Sequence, residues 1–126
     1  MEKEALNNYQ NGYNCGQSIL KTYAKELEIS EEVLMRISSG LGVGMFLGET
    51  CGAVTASVIA IGIKKGAKNL EEKEKNREVF KAVKTFEKEF KEKYCSLNCK
   101  ELKTECKASC KNIVEDSAKI LKGLIV

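Results

Sequence analysis

Residues 51–66 read Cys-Gly-Ala-Val-Thr-Ala-Ser-Val-Ile-Ala-Ile-Gly-Ile-Lys-Lys-Gly, and the spacing predicts a helix with apolar residues on every side. A helix of this kind cannot lie on a surface, because each face needs cover. The apolar run, about Cys51 to Ile63, is short of the roughly 20 residues that span a bilayer, so the cover must be protein. The expected architecture is therefore an all-α bundle of five or six helices around a central apolar helix at about 51–66. Gly52, Ala56 and Ala60 recur every four residues, so one edge of this helix is small and a neighbour can lie unusually close along it. Tight packing alone is enough to account for those three residues.

The approach to this helix is rich in glycine: Gly40, Gly42, Gly44 and Gly48 precede Cys51. Glycine allows positive φ and close backbone approach, and it weakens regular structure. Thr50 is the expected N-cap. Cys51 then falls in the first helical turn, where the helix dipole and free N–H groups favour a thiolate. The bland alternative is that Cys51 is a small buried apolar residue. Glu49 beside it is a candidate oxygen ligand or proton acceptor, or simply a solvated carboxylate.

The chain has 126 residues, which fits one domain over 1–126 with a real core. It has no proline, and its polar residues are mostly Lys and Glu, both good helix formers. Its 21 basic and 18 acidic side chains are interleaved rather than blocked, so nothing forms a phosphate-binding patch and nucleic acid is not an expected partner. The polar N-terminus shows no signal peptide, and the chain reads as cytoplasmic. Six cysteines in that setting point to metal or redox work more than to structural disulfides. There is no histidine, which removes ordinary haem ligation, His-assisted acid–base catalysis and Cys–His nucleophile pairs.

The first helix is expected over about Glu2 to Leu27, with Leu6, Tyr9, Tyr13, Leu20, Ala24 and Leu27 on one stripe. Cys15 lies nearly opposite Leu6, off that stripe. Either this helix is buried on two sides, or it breaks near Asn11 and Gly12. In the second case Asn14 caps a new start, Gln17 takes the capping-box position, and Cys15, like Cys51, sits in a first turn. A short helix over about Glu31 to Ser38 has Ser30 as its cap and Gly40 as its stop. Gly66 and Asn69 mark a turn. A long helix from about Leu70 to Tyr94 follows, its inner stripe formed by Val79, Val83, Phe86, Phe90 and Tyr94.

The C-terminal piece carries Cys95, Cys99, Cys106 and Cys110 in C-x3-C-x6-C-x3-C spacing. On one unbroken helix these four share a face within about 60°, with the outer two about 22 Å apart, too far to share a metal. Leu102, Ile113, Ile120 and Leu124 continue the same stripe. On a hairpin turning near Lys103 to Glu105, Cys95 faces Cys110 and Cys99 faces Cys106. No Gly or Pro marks that turn, and the sequence between is good helix, which favours the unbroken form.

With these residues in place the chain resembles the family named for its C_GCAxxG_C_C cysteine pattern. The matching stretches are Tyr13-Asn14-Cys15-Gly16-Gln17, Gly48-Glu49-Thr50-Cys51-Gly52-Ala53-Val54-Thr55, Cys99-Lys100-Glu101-Leu102 and Cys110-Lys111-Asn112-Ile113-Val114. The resemblance implies that Cys15, Cys51, Cys99 and Cys110 are the family's four cysteines and that Cys95 and Cys106 are extras. It implies redox activity and names no substrate. Ala56 stands where the family usually has glycine.

Three functions fit the sequence. In the first, Cys51 is the attacking thiolate of a thiol oxidoreductase, and Cys15, Cys99 or Cys110 resolves it in exchange with a partner protein or small thiol. In the second, Cys15, Cys51, Cys99 and Cys110 supply the ligand count for Zn²⁺ or an iron–sulfur cluster, assembled by the fold because no C-x2-C pair exists. In the third, the cysteines are core filler and the protein works through an interface, including one with its own copies. The last reading explains Cys15 badly.

Overall fold

A computed structural model describes residues 1–126. It is all-α, with eight α-helices: α1 Glu2–Gln10, α2 Cys15–Thr22, α3 Ala24–Leu27, α4 Glu31–Ile37, α5 Gly52–Lys65, α6 Lys75–Lys93, α7 Cys99–Thr104 and α8 Cys110–Ile125. The count exceeds the expected five or six because the first and last predicted helices are both divided. No helix is long and apolar enough to cross a membrane.

The central apolar helix is present as α5. It packs against α2, α6 and α8, and no residue from Cys51 to Gly62 is exposed. Ser57, the polar residue deepest in it, donates to the Ala53 carbonyl at 2.7 Å, so its hydroxyl is satisfied within the helix. The inner stripe of α6 is also as expected, with Ala82, Phe86 and Phe90 buried. The Phe90 and Tyr94 rings lie 4.9 Å apart, and the Tyr94 hydroxyl donates to Asp116 Oδ2 of α8 at 2.5 Å. Tyr23, fully buried, donates to the Ala118 carbonyl of α8 at 2.5 Å. These two tyrosines tie α8 to the α2–α3 junction and to the C-terminal end of α6. α6 begins at Lys75 rather than Leu70, after a single 3₁₀ turn over Leu70–Glu72 capped by Asn69.

The N-terminal helix does break at Asn11 and Gly12. Gly12 has φ +110°, a conformation that suits glycine. Asn14 then starts α2 with the full capping box: Gln17 N–H donates to Asn14 Oδ1 at 2.7 Å, and Asn14 N–H donates to Gln17 Oε1 at 3.1 Å. The break lets α1 lie on α8 while α2 lies on α5.

The C-terminal piece takes neither predicted form. Residues 95–110 are not one helix. The chain leaves α7 at Thr104 and turns through 105–109, with Lys107 at φ +51°. Nor does it make the expected cysteine pairs. Cys95 is joined to Cys106 in a disulfide, while Cys99 and Cys110 stay free. The reading of Cys95 and Cys106 as extra thiols is thus corrected: they are joined to each other. The turn needs no Gly or Pro because the covalent link and an Ala108 N–H to Leu102 carbonyl bond at 2.8 Å hold it.

Candidate functional site

Two Cys-Gly dipeptides, Cys15-Gly16 and Cys51-Gly52, stand at the starts of α2 and α5. Cys15 is the first residue of α2. Cys51 itself is the N-cap of α5, one position earlier in the motif than expected, so Thr50 is not the cap. Thr50 is instead held in an isolated antiparallel bridge with Asn98. In that bridge Cys51 N–H donates to the Leu97 carbonyl at 2.8 Å, and Cys99 N–H donates to the Glu49 carbonyl at 2.6 Å.

Glycine is what brings the two helix starts together. A methyl on Gly52 would lie 2.5 Å from Cys15 Sγ and closer still to the Leu41 carbonyl oxygen. A methyl on Gly16 would lie 2.8 Å from Leu41 Cβ and 3.3 Å from the Gly52 carbonyl oxygen. Without either methyl, the Cys15 sulfur packs against Gly52, next to Cys51, and both cysteines face one cavity.

The two thiols of this pair are not equivalent. The hydrogen bond from Cys51 is the main cause that pulls Cys15 down to about 6, and the N–H groups of Val43, Gly16 and Cys15 itself add to it against the cost of burial. Cys51 is pushed up, by the hydrogen bond it gives to Cys15, then by burial, then by the neighbouring Cys15 charge. The N–H groups of Ala53 and Val54 act on Cys51 the other way but do not reverse the direction. The physical reason favours the same order. Cys51 is 5% exposed while Cys15 is only partly buried, so the charge settles on the sulfur that keeps more solvent and more N–H donors.

One of those donors comes from a strained segment. Val43, Gly44, Met45 and Phe46 have φ of +51°, +59°, +61° and +58°, a left-handed turn in which three of the four residues carry a Cβ. Each such residue costs roughly 1–2 kcal/mol. The turn is braced from below. A Cβ on Gly44 would meet the Glu49 backbone nitrogen at 2.6 Å and Cys99 Cβ at 2.9 Å, so only glycine fits there. Val43 lines the cavity with Cys15, and its N–H is among the groups that favour the Cys15 thiolate.

The other two free cysteines complete the site. Cys99, the first residue of α7, is buried, and burial pushes its thiol up. Cys110 is the first residue of α8, and the Tyr9 hydroxyl lies against it. Burial first, then Cys110, push Tyr9 up to about 12. All four free cysteines, with Tyr9, line one cavity of about 140 Å³. Val43, Phe46, Leu102 and Ile113 make it apolar, and Asn14 and Lys103 are its polar side chains.

The structure therefore brings together Cys15, Cys51, Cys99 and Cys110, near the start of α5 as expected, and leaves Cys95 and Cys106 outside the cavity. They do not form a ligand cage: no three Cys, Asp or Glu side chains are placed to hold one metal ion. Glu49 contributes its backbone to the Cys99 bridge rather than lining the cavity. Tyr9 falls on the apolar stripe of the first helix, yet it lines this cavity. The signal that sets it apart is its place three residues before the Gly12 break, where α1 stops sharing faces with α2. Val43 and Lys103 carried no sequence signal.

The family model described as "Putative redox-active protein (C_GCAxxG_C_C)" matches residues 13–124. No curated protein and no solved structure matches the chain.

Proposed function

The chain belongs to the C_GCAxxG_C_C family, described by redox activity, and from that premise we propose that Cys15 and Cys51 are a two-electron dithiol–disulfide centre. Cys15 is the attacking thiolate and Cys51 the resolving thiol, which moves the attacking role from Cys51 to Cys15. The observation that carries this reading is the close approach of the two helix starts: a methyl on Gly52, next to Cys51, would lie 2.5 Å from Cys15 Sγ, and both cysteines line one cavity. A thiolate is the reactive form, and a resolving thiol on the same cavity wall needs no large motion.

The oxidative half-reaction balances as follows. The Cys15 thiolate attacks an electrophilic atom of the oxidant and breaks its weak bond. The leaving group takes the proton of Cys51. The Cys51 thiolate then attacks the Cys15 sulfur and displaces what remains of the oxidant. One thiolate and one thiol become one disulfide, and the oxidant gains two electrons, one proton from Cys51 and one from solvent. A dithiol of a partner protein or a small molecule reverses the change by exchange. Cys99, Cys110 and Tyr9 wall the same cavity.

The test is a cross-link map. Reduced protein is oxidised with limiting diamide, alkylated and digested, and the linked peptides are identified by mass. A Cys15–Cys51 link is expected, together with Cys15 as the fastest thiol to react with iodoacetamide near neutral pH. A link that omits Cys15 or Cys51 refutes the assignment. So does stoichiometric zinc or iron, in protein purified without oxygen, that protects the four cavity thiols.

A further inference from the structure

We propose that the oxidant served by this centre is a small apolar organic hydroperoxide, a substrate class that rests on the Cys15–Cys51 reading above. The argument is steric and chemical. The cavity, about 140 Å³, is lined chiefly by apolar groups. An apolar cavity of about 150 Å³ holds a molecule the size of benzene. A peptide disulfide does not fit inside it, and neither does oxidised glutathione. The apolar character continues outward, since Phe46 is 66% exposed at the rim and Leu47 beside it is 74% exposed.

The resolving thiol narrows the choice further. Cys51 is 5% exposed and lines the same cavity as Cys15. In exchange with a disulfide, Cys15 would carry half of the substrate as a mixed disulfide, a group that fills the small cavity beside the buried Cys51. With a hydroperoxide, Cys15 carries only a hydroxyl, the smallest adduct two-electron oxidation can leave. Room for the resolving attack is then already present.

Atoms and electrons balance in three steps. The Cys15 thiolate attacks the terminal oxygen of the hydroperoxide; the O–O bond breaks, leaving a Cys15 sulfenic acid and an alkoxide. The alkoxide takes the Cys51 proton and departs as the alcohol. The Cys51 thiolate attacks the Cys15 sulfur, forming the disulfide and releasing hydroxide, which solvent protonates to water. The hydroperoxide is reduced by two electrons, and the two thiols supply them. A small dithiol reaching Cys15 from the cavity mouth restores the centre for the next turnover, through a mixed disulfide that its own second thiol resolves.

The experiment is a single-turnover comparison on the reduced full-length chain. Cumene hydroperoxide, hydrogen peroxide, oxidised glutathione and diamide are added separately, and formation of the Cys15–Cys51 link is followed by acid quench and peptide mass. Cumene hydroperoxide is expected to react at least about tenfold faster than hydrogen peroxide, the gain from burying two methylene-sized groups. In Cys51→Ser the reaction is expected to stop at a sulfenic acid on Cys15 that dimedone labels. In Phe46→Asn, which keeps a residue tolerant of positive φ, the preference for cumene hydroperoxide is expected to shrink. Hydrogen peroxide matching cumene hydroperoxide overturns the proposal, as does faster reaction with oxidised glutathione or no dimedone adduct in Cys51→Ser. If diamide forms the link and cumene hydroperoxide does not, the substrate class alone falls. If no oxidant forms it, the dithiol reading falls with it.

Discussion

Replacing Cys51 with alanine removes the single largest cause of the low Cys15 value while leaving the helix start in place. A hydrogen bond to a charged group is worth about 1.5–3 kcal/mol. At about 1.4 kcal/mol per pH unit, its loss corresponds to roughly one to two units. Cys15, at about 6 in the native protein, is therefore expected to titrate at about 7–8 in Cys51→Ala. It should stay below an ordinary thiol, because the N–H groups of Val43, Gly16 and Cys15 still face it. Cys51→Ser keeps a donor, so its Cys15 should lie between the two. The assay is the iodoacetamide rate at Cys15 as a function of pH, read from the Cys15 peptide by mass, with far-ultraviolet circular dichroism confirming the fold. A Cys51→Ala protein whose Cys15 still titrates at about 6 would refute the pairing and leave the backbone donors as the whole cause.

Three further outcomes are expected. Gly52→Ala places a methyl 2.5 Å from the Cys15 sulfur and against the Leu41 carbonyl, so it should cost about 1–3 kcal/mol in urea denaturation and raise the Cys15 value; a neutral change would contradict the close approach. The pH dependence of stability should be a dome relative to the Cys15→Ser/Cys51→Ser double variant. Cys15 is depressed below its unfolded value of about 8.5, so its contribution is full above that value and is lost as the pH falls through about 6. Cys51 is raised, so its contribution is present below about 8.5 and lost at higher pH. A difference that changes in one direction only, from about pH 6 to about pH 10, would contradict the opposed shifts. Finally, Cys95→Ser/Cys106→Ser opens a link of sequence separation 11, which loop-closure entropy values at about 3 kcal/mol; denaturation of the oxidised protein and the double variant measures it.

The fold was legible wherever one local rule acted alone. The apolar run after Cys51 required a central helix, and Ser30 and Asn14 marked helix starts that the structure keeps. The break at Gly12 was readable as one of two options, because Cys15 sat off the apolar stripe. The Thr50 cap was misplaced because Thr50 is committed to Asn98, a partner 48 positions away that no local rule can reveal. The turn at 105–109 lies just past the hairpin option near Lys103 to Glu105, which the helix propensity of the segment disfavours. Lys-Glu-Leu-Lys-Thr does form helix, as α7, and the chain turns only after it, where Cys106 is bonded to Cys95. The gathering of Cys15, Cys51, Cys99 and Cys110 could be expected from motif order, but their division could not. Which sulfur touches which depends on two absent methyl groups and on a left-handed Val43, features that emerge only when α2, α5 and the glycine-rich segment are packed together.

That both sulfurs sit at helix starts has a consequence for the direction in which electrons flow. A disulfide between Cys15 and Cys51 carries no charge, so the Cys51 thiol and the N–H groups that favour the Cys15 thiolate do nothing for the oxidised form. Relative to an ordinary dithiol, the thiolate at about 6 favours the reduced state by about tenfold at neutral pH. This makes the couple about 30 mV more oxidising. The centre would take electrons readily from a cellular dithiol and hold them until a stronger oxidant arrived, the behaviour of an electron sink rather than a general reductant.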